Sequence, residues 1–147
     1  MKILMVCLGN ICRSPLAEGI MRQKISDHNL DWEVASCGTG GWHVGEGPDR
    51  RSVRAAALKG YDISNQRAQQ FNESFLDIYD HIFVMDQQNY KDVERVVNNK
   101  DLLHKVQLFI PNGKVIDPYY DDTLFSDVCD QIETRCELLI KELKASV

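Results

Sequence analysis

The sequence predicts an α/β fold: a single domain over residues 1–147, with a four-stranded parallel sheet carrying helices on both faces. Three observations carry this prediction. Short apolar segments recur along the chain, and such segments read as strands buried on both faces. They alternate with segments of helical periodicity, the order of a parallel sheet with crossover helices. No repeat, low-complexity tract or linker divides the 147 residues, a length suited to one domain.

The elements follow in order. Lys2 to Val6, built on Ile3-Leu4-Met5-Val6, reads as the first strand. Ser14-Pro15 then offers a hydroxyl N-cap with proline at the first helical position, and Leu16, Ile20 and Met21 continue a helical stripe toward Ser26. Trp32 to Ser36 reads as the second strand, and the stretch from Cys37 to Gly47 holds five of the nine glycines. Asp49 to Lys59 is a helix ended by Gly60. His81-Ile82-Phe83-Val84-Met85 is the third strand, and Asp86 is placed to cap a helix reaching Val97. Val106 to Phe109 is the last strand, and Ser126 to Lys144 a long amphipathic helix. Ligands of such sheets bind beyond the carboxyl ends of the strands, where the strand order reverses. The loop from Cys7 to Ser14 leaves the first strand at that end.

Composition narrows the partners. Hydrophobic residues make up 44% and charged residues 27%, the balance of a soluble globular protein. Lysines and arginines number 17 against 22 acidic residues, a net charge of −5, so the surface as a whole repels nucleic acid and anionic membrane. Any anion site must therefore be built locally, from backbone amides and a few arginines. The N-terminal apolar run is too short for a secretory signal and no stretch is long enough to insert in a membrane. The five cysteines, at positions 7, 12, 37, 129 and 136, include no C-x2-C pair. They read as reduced thiols of a cytoplasmic protein, with Cys37, Cys129 and Cys136 packed in the core.

The loop Cys7-Leu8-Gly9-Asn10-Ile11-Cys12-Arg13-Ser14 lies between a strand and a helix. A loop there can curl so that successive N–H groups converge on an anion, helped by the helix N-terminus. Gly9 gives backbone freedom, Asn10 tolerates left-handed geometry, and Arg13 can offer two parallel hydrogen bonds to phosphate oxygens. A thiol at the start of such a ring is favoured as thiolate, the nucleophilic form. The Ser14 hydroxyl, one residue beyond Arg13, is within reach of that sulfur.

These residues, with Val6 before them and Pro15-Leu16-Ala17-Glu18 after, closely resemble the signature of the low-molecular-weight protein tyrosine phosphatases. Further segments match in consistent order: Ser36-Cys37-Gly38-Thr39, Trp42-His43-Val44-Gly45, Asp49 with Arg51, Met85-Asp86 with Asn89, and Asp117-Pro118-Tyr119-Tyr120. The resemblance implies a flavodoxin-like strand order, 2-1-3-4, and hydrolysis of phosphotyrosine through a cysteinyl-phosphate intermediate. It carries the nucleophile to Cys7, the phosphate-binding arginine to Arg13, and the loop amides to Leu8, Gly9, Asn10, Ile11, Cys12 and Ser14. Asn10, Ser14 and Ser36 match the polar residues that brace the loop. Cys12 matches the redox partner that relatives join to the nucleophile in a reversible disulfide. Where many relatives carry a histidine, in the segment Gln66-Arg67-Ala68-Gln69, this chain has Gln66.

Aryl phosphate hydrolysis also needs an acid for the leaving oxygen and then a base for water. With 22 acidic residues available, the residues alone leave the choice open. Pro118 restrains Asp117 and Tyr119-Tyr120 would set aromatic surface around it, and the resemblance places the general acid there. Trp42, in a glycine-rich loop, and Tyr119 match the aromatic pocket walls. The resemblance further implies tyrosine-phosphorylated protein substrates, no cofactor and no metal; a monomer or weak dimer is expected. The nearest rival is an arginine-phosphate phosphatase, whose members carry threonine where Ile11 stands. Arsenate reduction would need two cysteines in a mobile segment, whereas Cys129 and Cys136 fall in a helix. A non-catalytic phosphoprotein binder would have no use for Cys7 or Asp117.

Overall fold

The computed structural model describes residues 1–147. Its elements run β1 Lys2–Cys7, α1 Arg13–Asp27, β2 Glu33–Gly38, α2 Arg50–Leu58, α3 Phe75–Ile78, β3 His81–Val84, α4 Gln87–Val96, β4 Val106–Leu108 and α5 Phe125–Ala145. Two 3-10 turns, Lys100–Lys105 and Asp122–Leu124, precede β4 and α5.

All strand pairs are parallel, in the order β2-β1-β3-β4. That is the predicted order. Alternation along β1 separates two cores. Ile3, Met5 and Cys7 face one way, where they pack with Leu16 and Ile20 of α1 and with Ile132, Cys136 and Leu139 of α5. Leu4 and Val6 face the other way, against Leu76 of α3 and Val93 of α4. Both faces of the sheet are thus covered, which is why the central strands β1 and β3 are apolar after their first residues. α5, with 21 residues, is the longest helix. Truncating its wholly buried Ile132 to alanine should cost about 2–5 kcal/mol in lost transfer energy and cavity formation. Cys37, Cys129 and Cys136 are fully buried, as expected.

Asp86 caps its helix as read, its carboxylate accepting from the Asn89 N–H, and Asp49 caps α2 in the same way through the Arg51 N–H. Three readings need correction. Ser14 is not the cap of α1. The helix begins at Arg13, with Cys12 in the cap position and no side-chain cap bond, because the Ser14 hydroxyl is taken up inside the preceding loop. The second strand does not stop at Ser36 but runs to Gly38, which pairs with Cys7 and bridges to Gln70. The four-residue helix α3 was not foreseen, since one turn is too short to display a 3.6-residue period.

The chain leaves β1 toward β2 on one side of the sheet and returns through β3 on the other. The order therefore reverses between β1 and β3. Cys7 ends β1, and Asp86 follows just beyond β3. The topology brings these two residues to one crevice from opposite halves of the chain.

Candidate active site

The loop from β1 to α1 forms one wall of a pocket of about 300 Å³ lined by Cys7, Leu8, Gly9, Ile11, Cys12, Arg13, Trp42, His43, Asp117, Tyr119 and Tyr120. None of the backbone N–H groups from Leu8 to Ser14 donates to a protein acceptor. In a folded chain a run of unpaired donors is costly unless something else accepts from them. An anion is the kind of group that such a run of inward N–H donors can bind.

Its shape is held from several directions. Asn10 sits in the left-handed region at φ 58°, and its amide divides three ways. Nδ2 donates to the Ser14 hydroxyl at 2.8 Å and to the Ser36 hydroxyl at 2.9 Å, while Oδ1 accepts from the Gln69 N–H at 3.0 Å. Ser36 donates onward to the buried Glu18 carboxylate at 2.7 Å. Arg22 neutralises Glu18 at 2.7 Å. Gly38 allows the end of β2 to press against the loop, since a Cβ there would lie 2.7 Å from the Leu8 carbonyl oxygen and 2.9 Å from the Gly9 carbonyl carbon.

Arg13 is buried, and its guanidinium is fixed before any ligand arrives. Nη1 donates to Asp86 at 2.7 Å and to the Val115 carbonyl at 3.0 Å; Nη2 lies 3.7 Å from the Asp117 carboxylate. Burial opposes its charge, but Cys7, Asp86 and Asp117 more than offset that, so it is held protonated even more firmly than usual. The Cys7 sulfur lies 3.0 Å from the Ser14 hydroxyl. Cys12 is also buried, and its thiol is pushed up to about 12, by burial first and then by Asp49, Cys7 and Asp117. Both cysteines are free thiols.

Asp117 is half-exposed rather than enclosed by aromatic rings, and its Oδ1 accepts from the Tyr119 N–H at 3.1 Å. Tyr119 and Tyr120 meet edge to face, with ring centroids 5.0 Å apart. Trp42 is 72% exposed at the pocket rim, so core packing does not account for it. Gln66 contributes no brace to Asn10. Its amide donates to the Pro15 carbonyl at 3.0 Å, and the Asn10 carbonyl is taken by the Gln69 N–H instead.

The structure brings together every residue singled out from the sequence, and adds four. Asp86 was read only as a helix cap, yet its second oxygen anchors Arg13. Glu18 lies four residues after Ser14 on α1, a spacing that places both on one helix face and could have revealed it. Gln69 had no local signal. His43 lines the pocket with its Nδ1 2.5 Å from Glu46, and a Cβ added to Gly9 would lie 3.2 Å from its ring. No group of three or more His, Cys, Asp or Glu side chains converges as metal ligands would. No helix is long and apolar enough to cross a membrane.

Fold and loop together define an α/β protein with a buried cysteine and a run of unpaired N–H donors at the switch point of its sheet. Comparisons with known proteins say which. The sequence profile of the low molecular weight phosphotyrosine protein phosphatases matches residues 2–147. The Bacillus subtilis low molecular weight protein-tyrosine-phosphatase YfkJ is 34% identical over 149 residues, 97% of this chain and 95% of that one. The protein tyrosine phosphatase from Entamoeba histolytica superposes with a TM-score of 0.92 at 34% identity, covering 99% of this chain and 98% of that one. Wzb from Vibrio vulnificus, solved in complex with benzylphosphonate, superposes with a TM-score of 0.87 at 26% identity, over 96% and 97%. The chain belongs to the low molecular weight phosphotyrosine protein phosphatase family.

Proposed function

We propose that this chain hydrolyses phosphotyrosine in proteins, with Cys7 as nucleophile and Asp117 as general acid and then general base. The observation that carries the reading is the Cys7 sulfur at the start of a run of unpaired N–H donors, in one pocket with Arg13 and Asp117. The Cys7 thiolate attacks phosphorus while the bond from phosphorus to the aryl oxygen breaks. Asp117 gives its proton to the departing phenolate. A water then attacks the cysteinyl phosphate, Asp117 takes the water's proton, and the sulfur leaves as thiolate. The loop amides and Arg13 meet the charge on the equatorial oxygens through both steps, in a frame that needs no rearrangement.

The pocket supports an aryl substrate. Trp42 and Tyr119 offer exposed aromatic surface in the same pocket as the buried Cys7 thiol, which suits a substrate that carries its phosphate on an aromatic ring. The benzylphosphonate bound by Vibrio vulnificus Wzb is an aromatic phosphonate of this shape.

The test is a side-by-side assay of phosphotyrosine, phosphoserine and phosphoarginine peptides with and without EDTA, alongside Cys7→Ser and Arg13→Ala. Phosphotyrosine should be strongly preferred with no effect of EDTA. Cys7→Ser should abolish turnover while retaining vanadate affinity, and Arg13→Ala should weaken binding and lower kcat by roughly 10²–10³-fold, as for loss of one oxyanion donor. Substantial activity in Cys7→Ser would overturn the mechanism.

A further inference from the structure

Among the nine glycines, Gly40 has the tightest approach of another atom to the place of a Cβ. Its φ is not positive, unlike those of Gly45 and Gly60, so the backbone there would accept any residue. The space around it would not. A Cβ built on Gly40 would fall 1.9 Å from Cζ3 of Trp42, 2.4 Å from Cε3 and 2.5 Å from Cη2. The six-membered ring of the Trp42 indole lies flat against the place where every other residue has a side chain. Gly40 is itself fastened to the phosphate loop, because its N–H donates to the Leu8 carbonyl at 2.9 Å and the Thr39 N–H to the Cys7 carbonyl at 2.9 Å. The seat of the tryptophan is therefore built on the backbone that holds the nucleophile's loop.

We propose that Gly40 is a positioning residue for substrate recognition: it seats Trp42 at a fixed place relative to Cys7, where the ring forms the aromatic wall of the pocket. This rests on the reading that Trp42 contacts the phosphotyrosine ring. Without the seat, a side chain 72% exposed on a glycine-rich loop has little to select one rotamer. With it, one face of the indole is covered by main chain and the other stays free for a ligand. The wall is then ordered before substrate arrives, so ordering it costs no binding energy.

The experiment substitutes Gly40→Ala. The atoms in the way belong to a side chain that can rotate, so the fold tolerates the methyl group and the ring must leave its seat. KM for an aryl phosphate should rise roughly three- to tenfold, the worth of one aromatic contact. Competitive inhibition by inorganic phosphate, which needs only the loop, should stay unchanged. In a Trp32→Phe background, where Trp42 is the one indole left, Gly40→Ala should shift the fluorescence maximum and alter acrylamide quenching. A double-mutant cycle separates seat from fold: in a Trp42→Ala background, Gly40→Ala should leave KM where Trp42→Ala alone put it. Unchanged KM and fluorescence in Gly40→Ala would overturn the proposal, as would an equal rise in KM with and without Trp42. A Trp42→Ala enzyme with the KM of the parent would instead overturn the reading of the pocket wall, and the fluorescence shift would then decide the seat alone.

Discussion

The Ser14 hydroxyl lies 3.0 Å from the Cys7 sulfur as the last link of a hydrogen-bond chain whose direction is set at its other end. Glu18, which can only accept when ionised, takes the Ser36 proton. Ser36 is thereby left as an acceptor for Asn10 Nδ2, whose other hydrogen goes to Ser14. As a thiolate Cys7 can only accept, so Ser14, with one lone pair engaged by Asn10, then turns its one proton to the sulfur rather than to the Cys37 carbonyl 3.4 Å away. A hydroxyl so directed stabilises a leaving thiolate. Ser14→Ala should therefore slow breakdown of the cysteinyl phosphate more than its formation. The loss in kcat should be about ten- to a hundredfold, the worth of a hydrogen bond to a charged group. Pre-steady-state kinetics should show a larger burst of phenol release. A burst no larger than that of the parent would mean that Ser14 only braces the loop.

Asp117 is held at Oδ1 by the Tyr119 N–H at 3.1 Å, a hydrogen bond that a neutral side-chain carbonyl would also accept. Asp117→Asn should keep that placement while removing the transferable proton. Turnover of phosphotyrosine should fall about 10²–10⁴-fold, while activated aryl phosphates, whose leaving groups need no proton, should lose far less. A plot of rate against leaving-group pKa should steepen accordingly. Equal losses across leaving groups would make Asp117 a positioning residue only.

Ile11 lines the pocket beside Cys12 and Tyr119 and offers no hydrogen bond to a guanidinium. Ile11→Thr should raise kcat/KM for phosphoarginine and lower it for phosphotyrosine, moving their ratio by roughly tenfold for one neutral hydrogen bond. Comparable kcat/KM for the two substrates in the unmutated enzyme would overturn the assignment to phosphotyrosine.

Alkaline stability should report on Cys12. Its thiol stands near 12 in the folded chain against an ordinary value of 9.0. Above about pH 9 the unfolded chain loses a proton that the folded chain keeps, so stability falls as pH rises and is at its full value below that point. The expected slope is about 1.4 kcal/mol per pH unit for one such group. Cys136 and Cys129, raised by burial in the same direction, add to it. Urea unfolding at about pH 8 and about pH 10.5 should show a smaller decline in Cys12→Ala than in the parent. Identical declines would place the ionised form of Cys12 in the folded state.

The sheet was legible because its central strands β1 and β3 are covered on both faces and so stand out as apolar runs. The anion loop was legible because its chemistry lies within eight consecutive residues. What escaped was whatever depends on a partner far along the chain. Asp86 read as a cap, which it is, but nothing near it in sequence announces that its other oxygen belongs to Arg13, 73 residues away. Gln69 reaches Asn10 through its main chain, so its side-chain identity carried no signal. Ser14 was misread for a related reason: a serine before a proline at a helix start suits a cap, and only the folded loop shows a stronger claim on its hydroxyl. The space under Trp42 was invisible too, since a glycine in a glycine-rich stretch suggests flexibility rather than a seat.

Cys7 is made early and armed late. A ribosome delivers the loop well before the groups that hold it: the Gln69 N–H comes 59 residues beyond Asn10, Asp86 73 residues and the Val115 carbonyl 102 residues beyond Arg13. Contacts of that span form only when the sheet has closed. A nascent or truncated chain that ends before Val115 thus carries Cys7 in an unanchored loop, and phosphatase activity should appear only once Val115 and the segment around it have been made. Because Arg13 hangs from both β3 and the segment after β4, loosening of that edge of the sheet disarms the enzyme before its core melts.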